Sequence, residues 1–273
     1  MKKTSICLTL ACALLSGCFD HRKAPERLVK AESLKALSPQ TQALILTNAP
    51  ALSLPQSLTQ AAALRELHLR GTKVKGLEIL PRIKALALAD LSSTGLETLP
   101  PELTACAGLT TLYLADNSLT TLPDLSRLEK LTYLNLDRNR LATLGPLPKS
   151  LRWIRLNANR LTTLPESFAT LNPERLYLAD NRLAAVPEQI KGWTRLTDLD
   201  LGGNPVEVFP EWLAQMASLK NLSLRGSQIS HLPKDLSGLK NLSILDLSHC
   251  RIPEAEQRRI RAAFSVYRTH IIF

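Results

Sequence analysis

Aromatic side chains make up only 4% of this 273-residue chain, and cysteine occurs just five times. Cysteines this sparse exclude a small disulfide-stapled scaffold. So few bulky rings are a poor filling for one large compact core. The five histidines (His21, His68, His231, His249 and His270) show no metal-ligand spacing and form no cluster with cysteine. No phosphate loop, Gly-x-Ser-x-Gly elbow or zinc-protease helix occurs. The expectation is a non-enzymatic protein without metal or cofactor. A basic stripe interleaved with aromatics, the mark of a nucleic-acid binder, is missing too, so no nucleic-acid partner is expected. The apolar run Ile6 to Leu15 spans ten residues, short of the ~18–20 that cross a bilayer, and no other run reaches spanning length.

Leucine, by contrast, fills 57 positions. With 45% hydrophobic and 21% charged residues the composition is that of a folded chain. A leucine excess with few rings suits a thin core repeated many times over.

The N-terminus reads as an address. Lys2 and Lys3 precede the ten-residue apolar stretch, which ends in Leu15-Ser16-Gly17-Cys18. This segment resembles a bacterial lipoprotein signal with its lipobox. The resemblance implies removal of residues 1–17 and lipidation of Cys18, with the lipid as the only membrane anchor. Phe19 stands where Asp would suggest inner-membrane retention in enteric-type bacteria, so the outer membrane is the expected address in a Gram-negative host. Without residues 1–17 the balance is 32 − 24 = +8. The excess sits at the ends: five basic and three acidic residues over 19–40, and five and two over 251–273. Arg22, Lys23, Arg27, Lys30 and Lys35 follow the lipid site, where attraction to anionic head groups and a merely solvated tether are both open readings.

The middle of the chain repeats. The pattern Leu-x-x-Leu-x-Leu-x-x-Asn-x-Leu recurs with its Asn position at Asn117, Asn139, Asn159, Asn181 and Asn204, then Ser227 and Cys250, and upstream at Thr94, Thr72 and Ala49. The gaps are 20 to 23 residues. Six residues after the Asn position stands Pro55, Pro100, Pro123, Pro165, Pro187, Pro210 or Pro233. In the third repeat Leu91-Ser92-Ser93 reads as an insertion after Leu88-Ala89-Asp90. These two markers resemble the leucine-rich-repeat family, in its short class with Leu-Pro after the Asn turn, over about 41–252. The resemblance implies an α/β fold: a curved solenoid with a parallel sheet on its concave face and short helical or irregular convex segments. The physics agrees. Leu-x-Leu puts two leucines on one face of a short strand, buried Asn satisfies neighbouring backbone groups, and Pro suits the convex side, where no ladder needs its N–H.

The chain thus divides into a signal peptide (1–17), a lipidated tether and N-terminal cap (18–40), about ten repeats (41–252) and a C-terminal cap (253–273). Leu28, Val29, Leu34 and Leu37 sit at near-helical spacing in the front cap. At the back, Glu254 to Phe264 reads as a helix, and His270 to Phe273 as a last strand with Ile271 and Phe273 turned inward. Related ubiquitin-ligase effectors carry a large catalytic domain after their repeats; only 21 residues follow residue 252, so that activity is not expected. Cys106 and Cys250 read as core packers about six coils apart, roughly 28 Å at ~4.7 Å per strand, beyond disulfide reach.

The side chains flanking the first leucine of Leu-x-Leu should face solvent on the concave side. For the third repeat this gives Ala85 and Ala87. In the next repeats it gives Tyr113, Tyr133, Trp153, Arg155, Arg175 and Tyr177, followed by Asp198 and Asp200, with Asp137, Arg138 and Asp180 on the rim. Adjacent columns put Trp153 beside Arg175 and Arg155 beside Tyr177, within cation–π reach. Clustered Trp, Tyr and Arg are what binding hot spots are made of, although rings and charges also stabilise neighbouring strands. The leading functional reading is a lipid-anchored envelope protein that holds a protein or peptide ligand on this face. An inhibitor of a secreted hydrolase, a host-directed effector, and a binder of carbohydrate or envelope polymer remain as alternatives.

Overall fold

The computed structural model describes residues 37–273. The lipobox, Cys18 and most of the expected front-cap helix lie outside the described residues; Leu37 packs against the core.

A Leu-x-Leu segment is too short to hold a strand alone, so each strand here exists by stacking on the next. The strands are β1 (Ala43–Ile45), β2 (Leu52–Ser53), β3 (Glu66–His68), β4 (Val74–Lys75), β5 (Leu88–Asp90), β6 (Thr111–Tyr113), β7 (Tyr133–Asn135), β8 (Trp153–Arg155), β9 (Arg175–Tyr177), β10 (Asp198–Asp200), β11 (Asn221–Ser223), β12 (Ile244–Asp246) and β13 (His270–Ile272). All but β2 and β4 form one 11-stranded sheet in chain order, every neighbour pair parallel. β2 and β4 pair separately. The register never slips: Leu112, Leu134, Ile154, Leu176, Leu199 and Leu222 are successive Cα partners at the strand centres. One residue either side therefore falls in one of two outward columns.

The third repeat corrects the sequence reading. It holds no insertion. β5 is Leu88–Asp90, and Ala89 partners both Leu67 and Leu112. The pattern is Leu86-x-x-Ala89-x-Leu91-x-x-Thr94, with alanine in place of the first strand leucine. Its outward pair is Leu88 and Asp90, not Ala85 and Ala87. Leu88 misled because an apolar residue happens to occupy an outward position there.

Between strands the chain turns through the Asn column. Asn139 Nδ2 donates to the Leu114 carbonyl of the preceding coil at 2.9 Å and to Leu136 of its own at 3.1 Å, while its Oδ1 accepts from Leu119 N at 3.0 Å. Asn159, Asn181 and Asn204 repeat this pattern. Thr72 replaces one of these bonds, donating to Leu46 O of the preceding coil, and accepts instead from Ala49 N. Cys250 Sγ reaches Leu224 O at 3.1 Å. The residue just before each Asn position is left-handed: Asn48, Gly71, Ser93, Asp116, Arg138, Ala158, Asp180, Gly203, Gly226 and His249. Glycine suits this left-handed position without strain; a Cβ on Gly203 would lie 2.2 Å from Asp180 Oδ1, so that exposed side chain would have to swing aside.

The prolines open the convex segments. The carbonyls of Pro55, Pro100, Pro165, Pro187 and Pro210 each accept from the N–H three residues on, starting a single turn of 3-10 helix. The core between sheet and convex turns is a continuous leucine stack, in which Leu128, Leu131, Leu134, Leu136 and Leu141 of one coil are fully buried. Burying each leucine contributes about 1.5–3 kcal/mol before entropy is counted.

At the far end, helix α1 (Glu254–Ala263) lays Ile260 and Phe264 on the last coil. Glu256 accepts from Leu232 N at 3.0 Å and from Arg259 Nη2 at 2.7 Å, and Arg259 Nη2 returns to Leu232 O at 2.8 Å. β13 then pairs with β12, with Ile271 and Phe273 against the core. Among the described residues no helix is long and apolar enough to cross a membrane.

Candidate ligand-binding surface on the concave sheet

The outward columns of β6 to β11 carry the chemistry. In the first column Tyr133, Trp153, Arg175, Asp198 and Asn221 follow one another as Cα partners; in the second, Tyr113, Asn135, Arg155, Tyr177, Asp200 and Ser223. Parallel in-register strands hold successive side chains about 4.8 Å apart, close enough for rings and guanidinium groups to stack.

They stack without a break. Tyr113 and Tyr133 have ring centroids 5.0 Å apart, and Tyr133 and Trp153 5.7 Å, both tilted. The Arg175 guanidinium lies over Trp153 at 4.4 Å from the ring centroid, and Arg155 lies over Tyr177 at 5.1 Å. Each arginine is also held by an acid: Arg175 Nε is 3.6 Å from Asp198 Oδ2, and Arg155 Nε donates to Asp137 Oδ2 at 2.7 Å. Asn221 Nδ2 donates to Asp198 Oδ1 at 2.8 Å. Burial, then the neighbouring Tyr113, pushes the Tyr133 phenol up to about 12. Tyr113 is raised by burial and by Asp90, and Tyr177 by burial and by Asp198. All three phenols stay neutral at physiological pH.

Tyr113, Tyr133, Trp153, Arg155 and Arg175 are half-exposed, as expected. Tyr177 and Asp198 are not. They are only 3% and 7% exposed, because Arg155 covers the Tyr177 ring while Arg175, Thr197 and Asn221 close over the Asp198 carboxylate. Asp137, read as a rim residue, is 1% exposed beneath Arg155 and accepts from Asn157 N at 2.8 Å. Arg138 and Asp180 do lie exposed. Arg138 pairs with Asp116, its Nη2 donating to Oδ2 at 2.7 Å.

Sequence reasoning missed one feature. At the β9 to β12 end the columns enclose a cavity of ≈ 90 Å³ whose lining includes Tyr177, Asp200, Ser223, Asp246, Leu222 and Ile244. Burial and the like charges of Asp180 and Asp246 raise Asp200, opposed by its bonds from Gly202 N and Ser223. Asp200 and Asp246, two strands apart, signal a charged spot in the sequence; a cavity between them does not show in any pattern of residues. Among the described residues no group of three or more His, Cys, Asp and Glu could hold a metal ion.

The sequence model for the leucine-rich repeat matches residues 84–141 and 194–252. No curated protein matches the sequence. Among solved structures, a leucine-rich-repeat protein of Leptospira interrogans is 25% identical with a TM-score of 0.64, covering 85% of this chain and 72% of that one. A chain of the Toll–Spatzle complex of Drosophila is 22% identical with a TM-score of 0.71, covering 82% and 32%. A chain from the ectodomain of the Arabidopsis thaliana receptor kinase GASSHO1/SCHENGEN3, solved with CASPARIAN STRIP INTEGRITY FACTOR 2, is 25% identical with a TM-score of 0.58, covering 81% and 32%. The chain spans about a third of each of these last two. By its repeats and its architecture, the chain folds as a leucine-rich-repeat solenoid.

Proposed function

We propose that this chain is a non-enzymatic, lipid-anchored protein of the bacterial envelope, whose concave sheet binds a protein or peptide ligand. The observation that carries the binding reading is the unbroken run Tyr113–Tyr133–Trp153–Arg175 on the concave face. Tyr, Trp and Arg are the residues that dominate interface energetics, and these are held in place by their neighbours, so little side-chain freedom is lost on binding. The solved plant ectodomain in complex with its factor supports the reading, because that fold neighbour takes a partner.

The lipid reading rests on Leu15-Ser16-Gly17-Cys18 behind a charged start and an apolar run. Two or more acyl chains hold a protein at a bilayer where one holds it weakly. An outer-membrane address follows from Phe19 in a Gram-negative host.

Capture from solubilised envelope tests the binding reading. Wild-type protein should retain one protein partner that competes with no envelope polymer. Retention of glycan or peptidoglycan fragments instead would overturn it. Labelled palmitate tests the anchor: Cys18→Ala should lose both label and membrane retention, and unchanged membrane association would sink that part alone.

A further inference from the structure

We infer that Arg140, Arg160 and Arg182 form a ladder on the flank of the solenoid that takes a helix of the ligand bearing acidic side chains on successive turns. The inference rests on the reading of a protein or peptide ligand above and names a second contact outside the concave sheet. Each of these arginines directly follows an Asn-column residue. Each backbone N–H donates to a leucine carbonyl of the preceding coil: Arg140 to Leu119 at 2.9 Å, Arg160 to Leu141 at 2.8 Å and Arg182 to Leu161 at 2.8 Å. That repeated bond stacks them in register, with the spacing of parallel strands, about 4.8 Å. They belong to the coils of β7, β8 and β9, whose concave face carries Tyr133, Trp153 and Arg175.

The ladder has no counter-charge of its own. All three arginines are exposed. Among the described residues none of their guanidinium groups takes part in an ion pair or a hydrogen bond, whereas Arg138, Arg152, Arg155, Arg175 and Arg195 on these and adjoining coils each hold an acid. Asp180, two residues before Arg182, leans on toward the following coil, where its Oδ1 would meet a Cβ on Gly203 and its charge raises Asp200. Like charges on neighbouring strands destabilise, so the ladder costs the free protein some stability that a bound anion returns. The guanidinium fork matches a carboxylate with two parallel bonds. Ala142, Thr162 and Ala184, two residues beyond each arginine, are small and exposed, which leaves the guanidinium groups open to a ligand.

The step of the ladder selects its occupant. Carboxylates at i, i+4 and i+7 of a helix recur about every 5–6 Å, near the ~4.8 Å of stacked coils. Alternate residues of an extended segment recur at ~6.6 Å and fall out of step. A flat anionic bilayer pressed on this flank would also meet the exposed Glu166 and Glu188, which open the convex turns of the Arg160 and Arg182 coils. A single acidic helix laid along the arginines avoids both.

Fluorescence polarisation with the full chain tests the assignment. The probe is a stapled, alanine-based helical peptide with Glu at i, i+4 and i+7; its control is an isomer with the same residues spread around the helix. The chain should bind the probe in a salt-dependent way and bind the isomer at least about tenfold more weakly. Arg140→Gln, Arg160→Gln and Arg182→Gln together should weaken probe binding by at least about tenfold as well, with a melting temperature no lower than that of wild type. Trp153→Ala and Lys191→Ala should leave probe binding intact. Equal binding of the isomer, undiminished binding by the triple variant, no binding of the probe, or binding only to polyphosphate, heparin or phosphatidylglycerol vesicles would overturn the inference. The probe needs neither Trp153 nor a captured partner, so failure here leaves the concave reading standing, and failure of that reading shows separately in the Trp153→Ala capture.

Discussion

Arg175 lies over the indole of Trp153, 4.4 Å from the ring centroid, while its Nε stands 3.6 Å from Asp198. One side chain thus joins an aromatic run to an acidic end. The pair falls in register because β8 and β9 pair in parallel with Trp153 opposite Arg175. On the concave face of a solenoid such an arrangement offers a partner flat apolar area and fixed charges at one place.

The Asn column should be the most sensitive surface-distant feature. Asn159 bridges two coils, donating to Leu136 O of the preceding coil and Leu156 O of its own and accepting from Leu141 N of the preceding coil. Asn159→Ala strands these buried groups and should cost about 2–4 kcal/mol. At ~2–4 °C per kcal/mol for a chain this size, the melting temperature should fall by roughly 5–15 °C in a thermal scan. An unchanged midpoint would mean the ladder is dispensable.

The cap helix makes stability acid-sensitive in a defined sense. The hydrogen bond from Arg259 holds the Glu256 carboxyl down to about 2, from a usual value of 4.5. A depressed carboxylate contributes stability above its unfolded value, and that contribution is lost as pH falls from 4.5 toward 2. Glu256→Gln should lower the melting temperature at pH 7 and narrow the gap to wild type as pH drops through this window. A pH-independent gap would contradict the clamp.

Asp200 runs the opposite way. Burial raises it above 3.8, so its favourable contribution is complete below the unfolded value and is lost as pH climbs through the higher folded one. Asp200→Asn should therefore melt higher than wild type at neutral pH and converge with it in acid. A lower neutral-pH melting temperature would show that the charge stabilises the fold.

The thiols should stay apart. Burial pushes the Cys106 thiol up to about 12, and Cys250 lies beyond β12, six strands from β6. Iodoacetamide at pH 8 should spare Cys106 in the folded chain and label both Cys106 and Cys250 after denaturation without reductant. A Cys106–Cys250 cross-link in mass spectrometry would contradict the register.

Much of this architecture was legible in the sequence, since period, Asn position and proline marker each have a local cause. The stacked pairs Trp153–Arg175 and Arg155–Tyr177 followed once the register was known. Where the reading failed, the cause lay in neighbours rather than in pattern. Leu88 is apolar yet points outward, so the third repeat looked lengthened. Tyr177, Asp198 and Asp137 occupy outward or rim positions, but partners on adjoining strands cover them, and alternation cannot register coverage. The left-handed residue before each Asn position went unseen because Asn, Gly, Ser, Asp, Arg, Ala and His all occupy it.

The central claim is that the concave aromatic–arginine run binds the partner, and Trp153→Ala measures it most directly. Affinity for the captured partner and the melting temperature should be taken on the same samples, with Lys191→Ala as an exposed convex control. Loss of the indole removes its contacts with Tyr133 and Arg175, about 1 kcal/mol of cross-strand support, so the midpoint should move by no more than about 4 °C. Binding should weaken at least about thirtyfold, the signature of a hot spot, and Lys191→Ala should change neither. Wild-type affinity in Trp153→Ala would mean that these rings serve only to brace the strands.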